Sequence, residues 1–390
     1  MSSNGDRLWW ADRRDRWCVV LLVCVTLAAC LPLLTKYPTP GGDEPGFVDV
    51  AVNVMSRGVV GTPAYEGLLP GAEHHVYWQP PLYFLGLAGW FATAGVGLVQ
   101  ARTFSLFWAV TIVILVYAMA RRHAALAPSL IAAVLLAVSY WLTNRANVAR
   151  MDVMCIALTL ASIFIYQCAR DRARLPLFGI SGLLAGLAFL THPLGIVAIT
   201  TLATHLVVSE RRGVLRTSRT YAVFGCFAVP MAGWLGFILQ DFDSFRSQWS
   251  AQLVRKQQLG SYWYQFWMAK THAISLAVVL GAVAWLSVAS LRRPAELLIP
   301  IAFAWSFAAS TYGRETGYFS YFYPWACCAL AILLDRVSQR RLLAQAAVLL
   351  AFVNELAVLG HDIYRYRHRD YDALTRIVRD VVLRSGCRRA

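Results

Sequence analysis

Two adjacent carboxylates, Asp43 and Glu44, stand on a stretch shaped by Pro38, Pro40, Gly41 and Gly42 before them and Pro45-Gly46 after. Prolines and glycines at these offsets disfavour helix continuation, so the acids sit on a turn. A carboxylate fixed in this way can take a proton from an acceptor hydroxyl; a solvated acidic turn is the plain alternative. Downstream come Tyr65, Glu66, Glu73, His74-His75 and the aromatic cluster Tyr77, Trp78, Gln79, Pro80, Pro81 and Tyr83. Aromatic faces beside carboxylates suit a sugar ring, and equally suit a membrane-interface belt. His74 and His75 lack helical metal-ligand spacing and have no cysteine near them, so no metal is assigned there. A divalent metal is compatible with the acid pair and not required by it.

A second polar cluster runs from Asn144 to Asp152 and contains Arg145 and Arg150. Guanidinium geometry suits a phosphate, while an Arg150–Asp152 ion pair at a helix start is the structural alternative. The stretch Gln240 to His272 adds Arg246, Arg255, Lys256, Lys270 and His272 among Trp249, Tyr262, Trp263, Tyr264, Phe266 and Trp267. That mixture reads as an interfacial amphipathic segment able to meet an anionic headgroup. His192, before Pro193, reads as a helix terminator. Tyr318 to Pro324, with Tyr321 and Tyr323, opens a late helix as cavity lining.

The elements that must carry these groups are membrane spans. Of 390 residues, 58% are hydrophobic and 15% charged, the profile of an all-α polytopic membrane protein. A net charge of +15 would suggest nucleic acid in a soluble protein, but here the arginines cluster between apolar runs, which is the positive-inside pattern and leaves no nucleic-acid partner. Eight of nine cysteines lie in apolar runs as small hydrophobes, with Cys387 in a polar tail, so no disulfide framework is expected. Leu27 to Cys30 resembles a lipoprotein processing site; an uncleaved first helix is the expected arrangement.

Twelve apolar runs are long enough to be candidates, beginning with 17–34 and including 127–143 and 341–360. If all twelve span, Arg121-Arg122 and Arg170 to Arg174 fall opposite the N-terminal arginines. Placing the Gly-rich run Pro81 to Val99 on the outer face instead brings the clusters to the cytoplasmic side and leaves about 11 transmembrane helices. The expected organisation is one membrane domain over 1–390: a first helix at 17–34, an outer loop with the acids at 35–102, remaining helices over 103–360 and a basic tail at 361–390, placed outside. The N-terminus is then cytoplasmic, and the longer loops gather on the outer face. Chemistry belongs there.

The Asp-Glu pair after the first helix, Pro-Pro-Leu-Tyr closing the first outer loop, Arg150-Met151-Asp152 opening a middle helix and Tyr321-Phe322-Tyr323-Pro324 late in the chain together resemble the dolichyl-phosphate-mannose protein mannosyltransferase and aminoarabinose transferase family of GT-C glycosyltransferases. The resemblance implies inverting transfer of a sugar from a polyprenyl-phosphate donor to a glycolipid, glycan or protein acceptor at the outer face of a bacterial inner membrane. It carries the general base to Asp43, with Glu44 beside it. Arg150 ranks first for the donor phosphate, with Arg145 and Lys270 added on chemical grounds; Tyr77, Trp78, Gln79, Tyr83, Asp152, Tyr321 and Tyr323 would line the substrate pocket.

Two departures stand out. Aminoarabinose transferases carry Glu-Lys where this chain has Trp78-Gln79, so a phosphate-binding lysine is missing there. The large outer domain of many members is expected to be absent too, favouring a glycolipid or glycan acceptor. A multi-pass transporter or flippase of a lipid-linked sugar would instead need ionisable residues or helix breaks near midplane. A non-catalytic scaffold would need neither.

Overall fold

The apolar runs fold as helices, and no strand is found among the described residues. The structure is a computed structural model that describes residues 12–41, 43–258, 269–292, 296–313, 316–337 and 341–376. Tyr262 to Trp267, Arg314, Cys387 and the tail beyond residue 376 lie outside them.

Helix α1 (Arg13–Cys30) starts where the Asp12 carboxylate accepts from the Arg14 N–H at 2.9 Å. Next come α2 (Glu44–Arg57), α3 (Leu82–Ala94), α4 (Leu98–Arg121), α5 (Leu126–Val138), α6 (Tyr140–Ala146), α7 (Asp152–Arg172) and α8 (Leu175–Thr191). After them follow α9 (Ile196–Glu210), α10 (Ser218–Ile238), α11 (Phe242–Gln258), α12 (Ala273–Ala289), α13 (Leu298–Gly313), α14 (Phe319–Arg336) and α15 (Arg341–Tyr366). Seven described helices are long and apolar enough to cross a bilayer, or eight when the bent pair α5–α6 counts as one span. Length and composition therefore do not reproduce the expected count of eleven, because α3, α8 and part of α13 are shorter apolar helices. At about 1.5 Å per residue, the 13 residues of α3 cover ~20 Å, less than a ~30 Å hydrocarbon core.

Packing ranks the helices. Nearly every α7 residue from Asp152 to Leu160 is buried, placing this helix at the centre. On α8, Gly179, Gly182 and Gly186 share a face, and a Cβ at Gly182 would overlap the backbone of Val223 on α10. Small residues at this spacing let two helix backbones approach closely without a hydrophobic driving force. The far face of α10 exposes Tyr221, Val229 and Leu235, and that of α15 exposes Leu349 and Val353, apolar surface suited to lipid. The protein is a multi-span membrane protein.

Helices α4 and α7 both run from one polar end of the molecule to the other. At the first end Arg102 and Asp152 begin them; at the second, Arg121 binds the buried Asp15 of α1, with Nε–Oδ1 at 2.8 Å. The start of the tail returns to the first end, where the Tyr371 N–H donates to the Thr35 carbonyl at 2.9 Å and Tyr366 stacks on Tyr37. Helices α5 and α6 meet at a 53° bend at Ser139. No proline causes it: the Tyr140 N–H is instead accepted at 2.9 Å by the fully buried Glu355 carboxylate of α15, which also holds Ser275 and His272.

Candidate active site

The acid pair straddles the start of α2, and its two members part there. Asp43 is the residue before the helix and accepts no side-chain cap bond; Glu44 is the first helical residue. Side chains one residue apart on a helix point about 100° from each other, so neighbours in sequence face different surroundings. Glu44 turns inward. Its carboxylate takes Arg102 Nε and Nη2 at 2.9 Å each and the Ala149 N–H at 2.8 Å. Arg102 spends its remaining donors on the Leu34 and Pro38 carbonyls, at 2.9 and 2.8 Å. The clasp is sealed, with Arg102 wholly buried and Glu44 2% exposed. It joins the end of the first span, α2, α4 and the loop before α7.

Asp43 turns outward, its side chain 31% exposed. Arg150 Nη1 donates to Asp43 Oδ2 at 2.8 Å and Arg150 Nε donates to Asp152 Oδ2 at 2.9 Å, so one guanidinium bridges both acids. Arg145 lies 3.9 Å from the same Asp152 oxygen, and the Tyr321 hydroxyl donates to Asp152 Oδ1 at 3.2 Å. The ion-pair and phosphate readings of Arg150 are thus one geometry: the pair holds Arg150 beside Asp43.

Three further groups complete the site. Arg255 of α11 reaches within 3.6 Å of Asp43 Oδ1. Two helical turns earlier on α11, buried Gln248 fixes that helix: its Oε1 accepts the Tyr77 N–H at 2.6 Å and its Nε2 donates to the Pro70 and His75 carbonyls at 2.9 Å each. At the head of α11, Ser244 hydrogen-bonds Asp241 and holds its carboxyl below the ordinary range. Tyr65 leans over the first turn of α2, where a Cβ at Gly46 would lie 2.6 Å from its hydroxyl. Burial, then the Asp43 and Asp49 carboxylates, push the Tyr65 phenol above its ordinary pKa. Gly317 has its own reason to lack a side chain. A Cβ there would overlap the Arg145 guanidinium, whose Nε donates to the Gly317 carbonyl at 3.2 Å.

Residues 78–236 match the family model described as dolichyl-phosphate-mannose-protein mannosyltransferase. Among solved structures, ArnT from Cupriavidus metallidurans bound to undecaprenyl phosphate is similar with a TM-score of 0.67 at 16% identity, over 88% of this chain and 64% of that one. The archaeal oligosaccharyltransferase AglB from Archaeoglobus fulgidus, in complex with an inhibitory peptide and a dolichol-phosphate, is similar with a TM-score of 0.59 at 12% identity, over 92% of this chain and 56% of that one. The chain shares the GT-C membrane fold of these structures. It spans less than two thirds of the length of either protein. A search of curated protein sequences returned no match.

Within this GT-C frame the remaining expected residues divide. Trp78 packs on Tyr65 at 5.4 Å and so reaches the edge of the site. Tyr77 donates to the Phe237 carbonyl at 3.0 Å and ties the first loop to α10. Tyr83 is 1% exposed among Phe47, Phe84 and Phe104, and Tyr323 is fully buried in the main core; neither contacts Asp43. Gln79 is half-buried, with an unpartnered Oε1. Lys270 belongs to a different recess, a cavity of about 710 Å³ that it lines with Tyr37, Tyr140, His272 and Arg365. His192 caps the turn after α8 by accepting the Leu194 N–H, and its ring lies 5.9 Å from that of Tyr321, behind Asp152. A second cavity of about 710 Å³ flanks the base of α2, walled by Pro45, Val48, Val52, Val96, Leu98 and Val99. Among the described residues no three His, Cys, Asp or Glu side chains converge as metal ligands, and the oxygens of Asp43 and Asp152 already share a guanidinium.

Proposed function

We propose that this protein is an inverting glycosyltransferase that moves a sugar from a polyprenyl-phosphate donor to a glycolipid, glycan or protein acceptor at the outer face of a bacterial inner membrane, with its N-terminus cytoplasmic. The carrying observation is the partly exposed Asp43 held between Arg150 and Arg255 at one polar end of a GT-C frame. Asp43 takes the acceptor hydroxyl proton while that oxygen attacks the anomeric carbon. The bond from that carbon to the phosphate oxygen breaks, and its electron pair leaves with the polyprenyl phosphate. The leaving phosphate gains one negative charge in this step. Arg150 and Arg255, with Arg145 behind, stand where they can neutralise it. Glu44 and Arg102 act as positioning residues for Asp43, and the apolar wall of the cavity beside α2, a cavity that Asp49, Asp372 and Arg376 also line, suits a lipid chain.

The undecaprenyl phosphate of ArnT and the dolichol-phosphate of AglB support this donor class. The test uses Asp43→Asn in purified protein with a polyprenyl-phosphate sugar. Transfer should fall by roughly 10²–10⁴-fold, the usual worth of a general base, with donor binding retained. Retained turnover would remove Asp43 from the role.

A further inference from the structure

At the end of the molecule remote from Asp43, about 27 Å along α7 from Asp152, lies a second polar recess. It measures about 290 Å³ and is lined by Arg122, His123, Gln167, Arg170, Asp171 and Leu298. The proposed reaction uses none of these. Arg122 pairs with Asp171 and also contacts the Cys168 sulfur; Arg170 meets His205 Nε2 at 2.7 Å. Two cations against one carboxylate leave the recess positive.

Gln167 is the unexplained member. Its side chain is 5% exposed, and neither its amide oxygen nor its amide nitrogen has a partner. His123 Nε2 beside it is unpartnered as well. A buried carboxamide without partners is costly, so a site that keeps one calls for a ligand offering both an acceptor and a donor. A phosphate ester bearing a hydroxyl does this: its oxygens accept from the Gln167 amide and the guanidinium groups, and its hydroxyl donates to the Gln167 carbonyl oxygen. The carbonyl ends of α4 and α7 oppose an anion here, and two guanidinium groups outweigh them.

We propose that this recess binds a hydroxyl-bearing phosphate, either the headgroup of an anionic phospholipid such as phosphatidylglycerol or a free phosphate. The test is native mass spectrometry of full-length, delipidated protein titrated with phosphatidylglycerol and phosphatidylcholine, with inorganic phosphate as competitor. Phosphatidylglycerol should bind about tenfold more tightly than phosphatidylcholine. Gln167→Leu should remove about that factor, the worth of one hydrogen bond to a charged group, leaving phosphatidylcholine binding and sugar transfer unchanged. Competition by inorganic phosphate that disappears in Gln167→Leu assigns the site to the free anion and upholds the shared chemistry. Arg170→Gln should act in the same direction; if losing the His205 contact prevents its folding, Gln167→Leu alone decides. Equal binding of the two lipids, or phosphatidylglycerol binding untouched by Gln167→Leu together with no phosphate competition, overturns the proposal.

Discussion

Replacing Glu44 by Gln tests whether the two neighbouring acids have separate tasks. The substitution keeps size and one acceptor oxygen but removes the charge facing Arg102, which is 0% exposed. Arg102 keeps the Leu34 and Pro38 carbonyls and loses its anion, so a buried guanidinium is left uncompensated. Breaking a buried pair from one side typically costs about 3–5 kcal/mol. For a chain of this size that corresponds to a fall of ~4–6 °C in apparent melting temperature. Asp43→Asn removes two partly exposed pairs, to Arg150 and Arg255, each worth about 0–1 kcal/mol, and should change melting little while transfer falls by roughly 10²–10⁴-fold. The double variant Glu44→Gln/Arg102→Met should recover part of the lost stability, because it removes the stranded charge. The assay is tryptophan-fluorescence melting in detergent at a fixed scan rate, run beside the transfer assay. A Glu44→Gln protein that melts like wild type yet transfers no sugar would refute the division and return Glu44 to the chemistry.

Two other substitutions probe the surroundings. Gly317→Ala should drive the Arg145 guanidinium away from Asp152 and lower kcat/KM for transfer by roughly 10–100-fold with little change in melting, as small misplacements in an active site do; an unaffected rate would separate Arg145 from the reaction. Burial, opposed by Glu296 and aided by Arg122 and Arg336, pushes the His123 imidazole down to about 4. Its neutral form is therefore favoured in the fold, so its contribution is complete above the ordinary pKa of 6.5 and is lost as pH falls from 6.5 towards 4, at about 1.4 kcal/mol per pH unit inside that window. His123→Asn should flatten the change in melting temperature between pH 5 and pH 7, and an unchanged slope would trace the dependence to other groups.

What the sequence made legible was local. A helix break after the first apolar run anticipated that Asp43 stands just before a new helix, and the two-residue spacing of Arg150 and Asp152 anticipated the pair that holds Arg150 near it. The run after Pro81 was set apart by its prolines, its glycines and the charge pattern, and only the structure shows that its helix covers 13 residues. What stayed hidden depends on contacts between distant segments. Arg255 lay in a stretch whose composition suggests an interfacial segment meeting an anionic headgroup, with nothing to bring it to Asp43, and Gln248, which fixes its helix, carries no motif. Arg102 looked like the end of a loop, although its partners are spread from Leu34 to Glu44. The run 127–143 reads as one span because the cause of its bend, Glu355, lies 215 residues from Tyr140. Lys270 shared its charge with the site arginines but not their location.

The Glu44–Arg102 clasp has a polarity that a charge swap cannot reverse. An amide hydrogen from Ala149 points at position 44, and two peptide oxygens, from Leu34 and Pro38, point at position 102. Exchanging the two side chains would set a guanidinium against that hydrogen and a carboxylate against those oxygens, three repulsions in place of three attractions. Anyone redesigning this end of the protein can retire both charges together or keep both in their present order, because the main chain has already chosen which position is the anion.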